Sequence, residues 1–507
     1  MAASRRTQLT NRHPNTDLPP RCQQLNDWCP FLFPLETRQM FFACTAFGTS
    51  RTIVWLQAQT DRQRSGNPVP GRRAELDAAE VRMGRLRHER VRIPRCPALL
   101  HSAMQVMRVH AGRKSVLEVE FAGEEGTGLG PTLEFYALVG AELQRSSLRM
   151  WLNDEPREGE EEKRREEDEL SSPHVSHDGR DDKPIGYYVM RPGGLFPAPL
   201  RQQSALCDRV CKYFHFLGIF LAKVLQDGRL VDLPLSASFL RLMCGEALSD
   251  QHLREIDPIR HRFLEEVTAA ANQYDAIMAD TSLTPEEQST RAAELTVSGA
   301  TFSELALSMT HAGCGADDAE RAQPLCAGGD AIEVGPENAR EYATLSSRWI
   351  LRDGIARQMD AFTRGFASVF PPRRLRAFSH AELRLLLCGE HGPEWTREHL
   401  LQYTEPKLGY TKDSPGFLRL VQVLVEMSRR ERKAFLQFAT GCSSLPPGGL
   451  ANLHPRLTVV RKVDAGDGSY PSVNTCVHYL KLPEYSCKEV LRERLLAATN
   501  ERGFHLN

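Results

Sequence analysis

The chain has 507 residues, 41% hydrophobic, 25% charged and 7% aromatic, a globular profile with room for about three domains. Its 64 Lys and Arg offset 65 Asp and Glu, leaving a formal charge of −1 and a pI near 7.0, which excludes a whole-chain electrostatic case for nucleic acid or anionic membrane. The densest apolar run, 213–225, is broken by His215 and Lys223 and falls short of the ~20 residues that span a bilayer, and the opening MAASRRTQLTNRHP lacks the apolar core of a secretory signal.

Residues 1–27 are polar and rich in Arg, Asn and Pro, and read as a flexible lead. Residues 28–57 are apolar enough to pack; a polar stretch at 58–84 follows, and a helical reading then runs to about Val109. VLEVEF (116–121) alternates apolar and polar residues, as a half-buried strand does. After the turn GEEGTGLGP a helix starts near Pro131, with Leu133, Tyr136, Ala137, Gly140 and Leu143 on one face. Between Asp154 and Asp182, 13 acidic residues face 5 basic ones with few apolar positions, so this is a solvated, disordered insertion. Residues 206–225 are apolar nearly all round, which predicts a core helix. A Gly/Ala/Asp-rich stretch near 313–330 reads as a loop. Capping boxes are predicted at Ser379 with Glu382, Ser486 with Glu489, and Thr284 with Pro285 and Glu287. The chain reads as mostly helical to about residue 388. A smaller mixed part follows, with strands at Leu457–Val463 and Val477–Leu482 and a terminal helix near 487–498.

The chemistry-bearing patterns are few. GTGLGP has the spacing G-x-G-x-G, neither a dinucleotide fingerprint nor a phosphate loop, and reads as a tight turn. No H-E-x-x-H, C-x-x-C or G-x-S-x-G occurs, so neither metal catalysis nor a serine hydrolase has support, and no cofactor is expected. The thirteen cysteines, an odd number, read mostly as buried small hydrophobes in a reducing compartment. Cys476 differs. It stands after the loop carrying Asp464, Gly466, Asp467 and Gly468 and directly before a short β-run, where a thiol is reachable by a partner protein. Placement by itself leaves a buried, inert cysteine open.

FLQFATGCSSLPPGGL (435–450), NTCVHYLKLPEYS (474–486) and the ending GFHLN closely resemble the catalytic lobe of HECT-type ubiquitin ligases. Upstream, VEFAGEEGTGLGPTLEFY (119–136), FHFLGIFLAKVLQDGRLVDLPL (214–235), PENAREY (336–342) and FTRGFASVFP (362–371) resemble the large N-lobe of that family. CPFLFPLETRQMFF (29–42) narrows the resemblance to the ubiquitin-fusion-degradation branch and its thyroid-receptor-interacting relatives.

The resemblance implies an α+β, bilobal HECT domain with a large, mostly helical N-lobe, a flexible hinge and a small α/β C-lobe. The expected boundaries are a short, partly helical upstream segment (28–109), the N-lobe at 110–388 with its insertion at 154–182, the hinge at 389–392 and the catalytic C-lobe at 393–507. Members of the branch carry a long upstream substrate-binding region, so a truncated gene model or reliance on other subunits is expected. The implied activity is a ubiquitin transferase: Cys476 takes ubiquitin from a charged conjugating enzyme as a thioester and passes it to substrate lysines, leading to proteasomal degradation. Thr475 matches the threonine beside the family's nucleophile, and Phe504 matches the phenylalanine that helps transfer to lysine. Asn474 stands where many relatives have His or Arg, and His478 is either a tuning group for the thiol or a surface histidine. Expected partners are the conjugating enzyme, ubiquitin and protein substrates, with no nucleic acid, membrane or metal, in the cytoplasm or nucleus. An idle HECT-fold scaffold is the alternative of a different class, and a cysteine protease is a third.

Overall fold

A computed structural model describes residues 28–54, 56–57, 86–95, 98–153, 188–312, 322–390, 395–463, 465–475 and 477–500, with isolated positions 21, 24 and 25. The polar lead, the acidic insertion, Gly392, Cys476 and Phe504 lie wholly or almost wholly outside these residues. The fold is α+β. Contacts divide the chain into two units, one drawing on Met1–Ala137, Ile219–Val231 and Phe366–Asn507, the other on Leu138–Gly218 and Asp232–Gly365.

The first unit begins with α1 (Leu35–Ala46), which buries Phe42, Ala43 and Ala46. Phe42 meets Phe47, Phe378 and Phe370 edge-on at centroid distances of 5.0, 5.1 and 5.5 Å, the offset geometry that ring quadrupoles favour. β1 (His88–Ile93) follows, then α2 (Leu99–His110) and β2 (Val116–Phe121). β1 corrects the helical expectation at His88–Ile93, whereas α2 meets it from Leu99 to Val109. HERVRI pairs in parallel with VLEVEF, setting Arg90 opposite Glu118 and Arg92 opposite Glu120. Arg90 Nε reaches Glu118 at 3.0 Å and Arg92 Nη2 reaches Glu120 at 3.3 Å, so the charged positions serve as cross-strand pairs on the exposed face. α3 (Leu129–Glu142) starts as expected after the glycine turn, where Thr132 Oγ1 donates to Gly128 O and accepts from Val119 N. Its buried stripe contains Tyr136, Gly140 and Leu143 but runs through Phe135 and Val139 in place of the half-buried Leu133 and Ala137.

α4 (Ala205–Asp227) is the expected core helix. Its residues from Ile219 on belong to the first unit and include Lys223, buried although charged. The Lys223 amine donates to Arg113 O at 2.7 Å and Gln226 Oε1 at 2.9 Å, and burial lowers its pKa to about 8.

In the second unit Trp151 donates its indole N–H to Leu143 O at 2.7 Å and stacks edge-on with Phe214 and Phe239. Gly365, on the helix Ala356–Ala367, shows why two helices can meet here. A Cβ at that position would stand 1.9 Å from His215 O, so any side chain would push α4 away. α5 (Pro258–Ala279) and α6 (Pro285–Ala293) follow, and Thr284 and Glu287 form the expected capping box before α6. Of the expected loop near 313–330, residues 313–321 lie outside the described residues, and the rest is only partly a loop: Ala322–Pro324 pairs as a short strand with Thr310–Ala312.

The C-terminal part of the first unit follows α7 (His380–Cys388), whose capping box is Ser379 with Glu382 as expected. It contains α8 (Arg397–Tyr403), β3 (Glu405–Lys407), α9 (Pro415–Glu426), α10 (Arg429–Thr440), β4 (Thr458–Arg461), β5 (Ser472–Asn474), β6 (Tyr479–Leu482) and α11 (Lys488–Asn500). The four strands lie in the order β3-β4-β6-β5, with β6 antiparallel to β5 and the other pairs parallel. Leu480 of β6 stands opposite Val459 and Val473, and Leu480 and Val459 are wholly buried among Phe417, Leu420, Phe435 and Leu495. The strands near 457–463 and 477–482 thus form, but shorter than expected, and β3 escaped the sequence reading because it is three residues long and contains a proline.

Candidate catalytic site

The expected nucleophile belongs to the four-residue connection between β5 and β6. Asn474 and Tyr479 stand opposite one another at the end of the ladder, and 475–478 join them. Cys476 itself lies outside the described residues, and its neighbours carry the description. Thr475 is buried. Val477 is 40% exposed, and its N–H donates to Asn474 O at 3.3 Å. Asn474 is exposed.

His478 is neither a surface histidine nor part of the strand. It adopts φ +51° and is 5% exposed. Its Nδ1 lies 2.6 Å from Pro455 O, a partner that can only accept, so Nδ1 carries the proton. Burial lowers the histidine pKa and this hydrogen bond opposes the shift, so the neutral imidazole acts as a donor that ties the connection to the segment before β4. The His478 carbonyl accepts from Thr458 N at 2.9 Å. The turn is therefore anchored on its C-terminal side by one residue using ring and backbone together.

The loop preceding β5 is anchored to α11. The Asp467 carboxylate accepts from Ser486 N at 2.8 Å and Ser486 Oγ at 2.6 Å, which holds its pKa below the usual carboxylate range. Arg494 donates from Nε to Asp467 O and packs over the Tyr470 ring at 5.2 Å. Tyr485 OH donates to Ser469 O at 2.8 Å. Ser486 therefore bonds to Asp467 and not to Glu489: α11 begins at Lys488, one residue later than that capping box needs. Phe504, after α11, lies outside the described residues.

The linker expected at 389–392 is described at its first two residues. Gly389 adopts φ +70° and Glu390 pairs with Leu445 as an antiparallel bridge. This contact had no signal in the sequence, because 55 residues separate its partners. The same holds for Arg38, which donates to Glu382 Oε1 and Oε2 at 2.6 and 2.7 Å and to Ala377 O at 2.8 Å. Glu382, already the capping-box partner of Ser379 in the first turn of α7, is pulled to a pKa of about 2 by this guanidinium. Among the described residues no group of three His, Cys, Asp or Glu side chains could hold a metal ion, and no helix is long and apolar enough to cross a membrane.

Comparison with known proteins agrees with this architecture. The family model described as HECT-domain (ubiquitin-transferase) matches residues 138–507. The E3 ubiquitin-protein ligase Ufd4 of Drosophila melanogaster is 50% identical over 544 residues, covering 97% of this chain and 20% of that protein. The E3 ubiquitin-protein ligase hecd-1 of Caenorhabditis elegans is 50% identical over 516 residues, covering 97% and 19%. The E3 ubiquitin-protein ligase TRIP12 of Danio rerio is 34% identical over 501 residues, covering 97% and 23%. The chain thus spans about a fifth of the length of these relatives. With an α+β fold whose C-terminal sheet presents the β5–β6 connection, and with a match over most of its length, the chain belongs to the HECT-domain (ubiquitin-transferase) family.

Proposed function

We propose that this chain carries the catalytic machinery of a ubiquitin-protein ligase that forms a thioester with ubiquitin on Cys476. In the first step the Cys476 thiolate attacks the thioester of a charged conjugating enzyme. A new thioester forms, the conjugating enzyme's thiolate leaves, and one thioester replaces another of similar energy. In the second step a neutral substrate lysine amine attacks, an amide bond forms, the Cys476 thiolate leaves, and the proton lost from the amine nitrogen passes to solvent or to the departing thiolate. Neither step calls for a cofactor; each calls for two partners brought together in order. The observation that carries this reading is the family match over residues 138–507, with the nucleophile in the connection between β5 and β6. The buried Thr475 and the tethered His478 support that connection as a firm platform for a reactive group.

Residues 393–507 act as the catalytic lobe, 389–392 as the linker about which it reorients, and the preceding part as the lobe that receives the conjugating enzyme. Phe504 docks in the second step and orders the end of the chain beside the thioester and the incoming amine. Partners are the conjugating enzyme, ubiquitin and protein substrates destined for the proteasome, in cytoplasm or nucleus where the ATP-dependent ubiquitin system operates. The test is a non-reducing gel after incubation with activating enzyme, conjugating enzyme, ubiquitin and ATP. A thiol-sensitive adduct is expected with the unaltered chain and absent in Cys476→Ala. It persists in Cys442→Ala and Cys487→Ala, and in Phe504→Ala it forms but discharges slowly to lysine. An adduct that survives Cys476→Ala overturns the assignment.

A further inference from the structure

We infer that Glu390 is a positioning residue that latches the C-terminal lobe to its own linker in one orientation. Glu390 Oε1 accepts from Gly448 N at 2.7 Å, and Glu390 N donates to Leu445 O at 2.8 Å. One residue of the linker therefore grips the loop after α10 by side chain and backbone together. The carboxylate makes its bond charge-assisted, the stronger class of hydrogen bond.

The surrounding geometry is built for close approach. A Cβ at Gly389 would stand 2.2 Å from Leu445 O and 3.0 Å from Leu230 Cδ1, so only glycine lets these backbones meet. Leu445 is wholly buried in the C-terminal core, which makes the gripped loop part of that lobe's rigid body. At the other end of the grip, Leu387 O accepts from Val231 N at 2.9 Å. Residues 387–390 thus hold residue 231 and residues 445–448 at once. The start of the same loop lies against residues 133 and 230. A Cβ at Gly441 would sit 3.4 Å from Leu133 Cβ, and Cys442 Sγ lies 3.9 Å from Leu230 O. A linker that only swivelled would not aim a carboxylate at a glycine-turn amide.

The consequence rests on the transferase reading. Loading brings the thiol to a conjugating enzyme and discharge brings it to a lysine, so the two steps use different lobe orientations. A latch that favours one orientation assists one step and restrains the other. Removing it changes the ratio of the two rates, whereas general loosening of the fold lowers both in proportion.

The test measures single-turnover loading and lysine discharge separately for the unaltered chain, Glu390→Ala and Glu390→Gln, with hydrogen exchange at the Glu390 and Gly448 amides. Glu390→Ala is expected to change the loading-to-discharge ratio by about threefold or more and to speed exchange at both amides. Glu390→Gln, which keeps an acceptor oxygen, is expected to stay close to the unaltered chain in both. A ratio that stays constant in Glu390→Ala, whether or not the rates fall, overturns the proposal, as does unchanged exchange. Absence of any thioester on the unaltered chain removes the transferase reading, and the exchange arm still decides whether the latch exists.

Discussion

Two parts of the first unit are held in place by opposite means. The C-terminal part encloses its own apolar cluster, with Phe417, Leu420, Phe435, Val459, Leu480 and Leu495 all at 0% exposure. The upstream segment around α1 leaves part of its apolar surface uncovered, with Trp28, Phe31 and Leu32 exposed. It is attached by a small phenylalanine cluster and by two buried arginines. Arg38 reaches Glu382 and Ala377 O. Arg51 pairs with Asp227 at 2.7 Å and donates to the backbone carbonyls of Lys114, Gln226 and Ser115. Apolar burial is non-directional and tolerates repacking; a guanidinium fork satisfies its donors in one geometry only. The contrast teaches that this segment is specified by direction and the C-terminal part by volume. It also gives the segment a structural role in the catalytic fold, since Arg38 holds Glu382 in the capping box of α7, the helix from which the linker leaves.

Breaking the volume-specified part should have the largest effect. Phe417→Ala is expected to cost ~3–5 kcal/mol in urea unfolding, through lost transfer energy and the cavity left behind. A loss below about 1 kcal/mol would mean that this core collapses around the gap. Next comes the charge anchor. Arg51→Met leaves Asp227 buried without its cation and is expected to cost ~3 kcal/mol, with faster hydrogen exchange across 35–54. The double variant Arg51→Met/Asp227→Leu should regain the part of that loss that comes from the unpaired Asp227 charge, while the carbonyls of Lys114, Gln226 and Ser115 stay without the Arg51 donor. Equal losses in the single and double variants would show that packing, not charge, attaches the segment.

The smallest effect sharpens the comparison through pH. Glu382 sits at a pKa of about 2 in the fold against an ordinary 4.5, so its contribution is complete above 4.5. That contribution disappears as the pH falls from 4.5 towards 2. With a quarter of the side chain exposed, the amount is about 2 kcal/mol at most. Melting temperatures recorded across this window should fall more steeply for the unaltered chain than for Glu382→Gln. Parallel curves would remove Glu382 as an acid-sensitive anchor.

What the sequence determined by itself is what four or five neighbouring residues decide among themselves. Ser379 with Glu382 and Thr284 with Glu287 cap their helices because each box closes within one turn. The near-continuous apolar run of α4 could only be a buried helix. The family was legible because its motifs survive as words in order, and the proposal of Cys476 and Phe504 rests on that resemblance, not on geometry. Tertiary structure decided the rest. HERVRI became a strand only because VLEVEF lies beside it in register and answers its arginines with glutamates. Ser486 left Glu489 for Asp467, and His478 left the surface for the Pro455 carbonyl, because those partners come into reach only once the β-sheet has formed. The grip of Glu390 on Gly448 and of Arg38 on Glu382 spans 58 and 344 residues. Periodicity reports what lies within a helical turn or along a strand, whereas these bonds exist only after the chain has closed on itself.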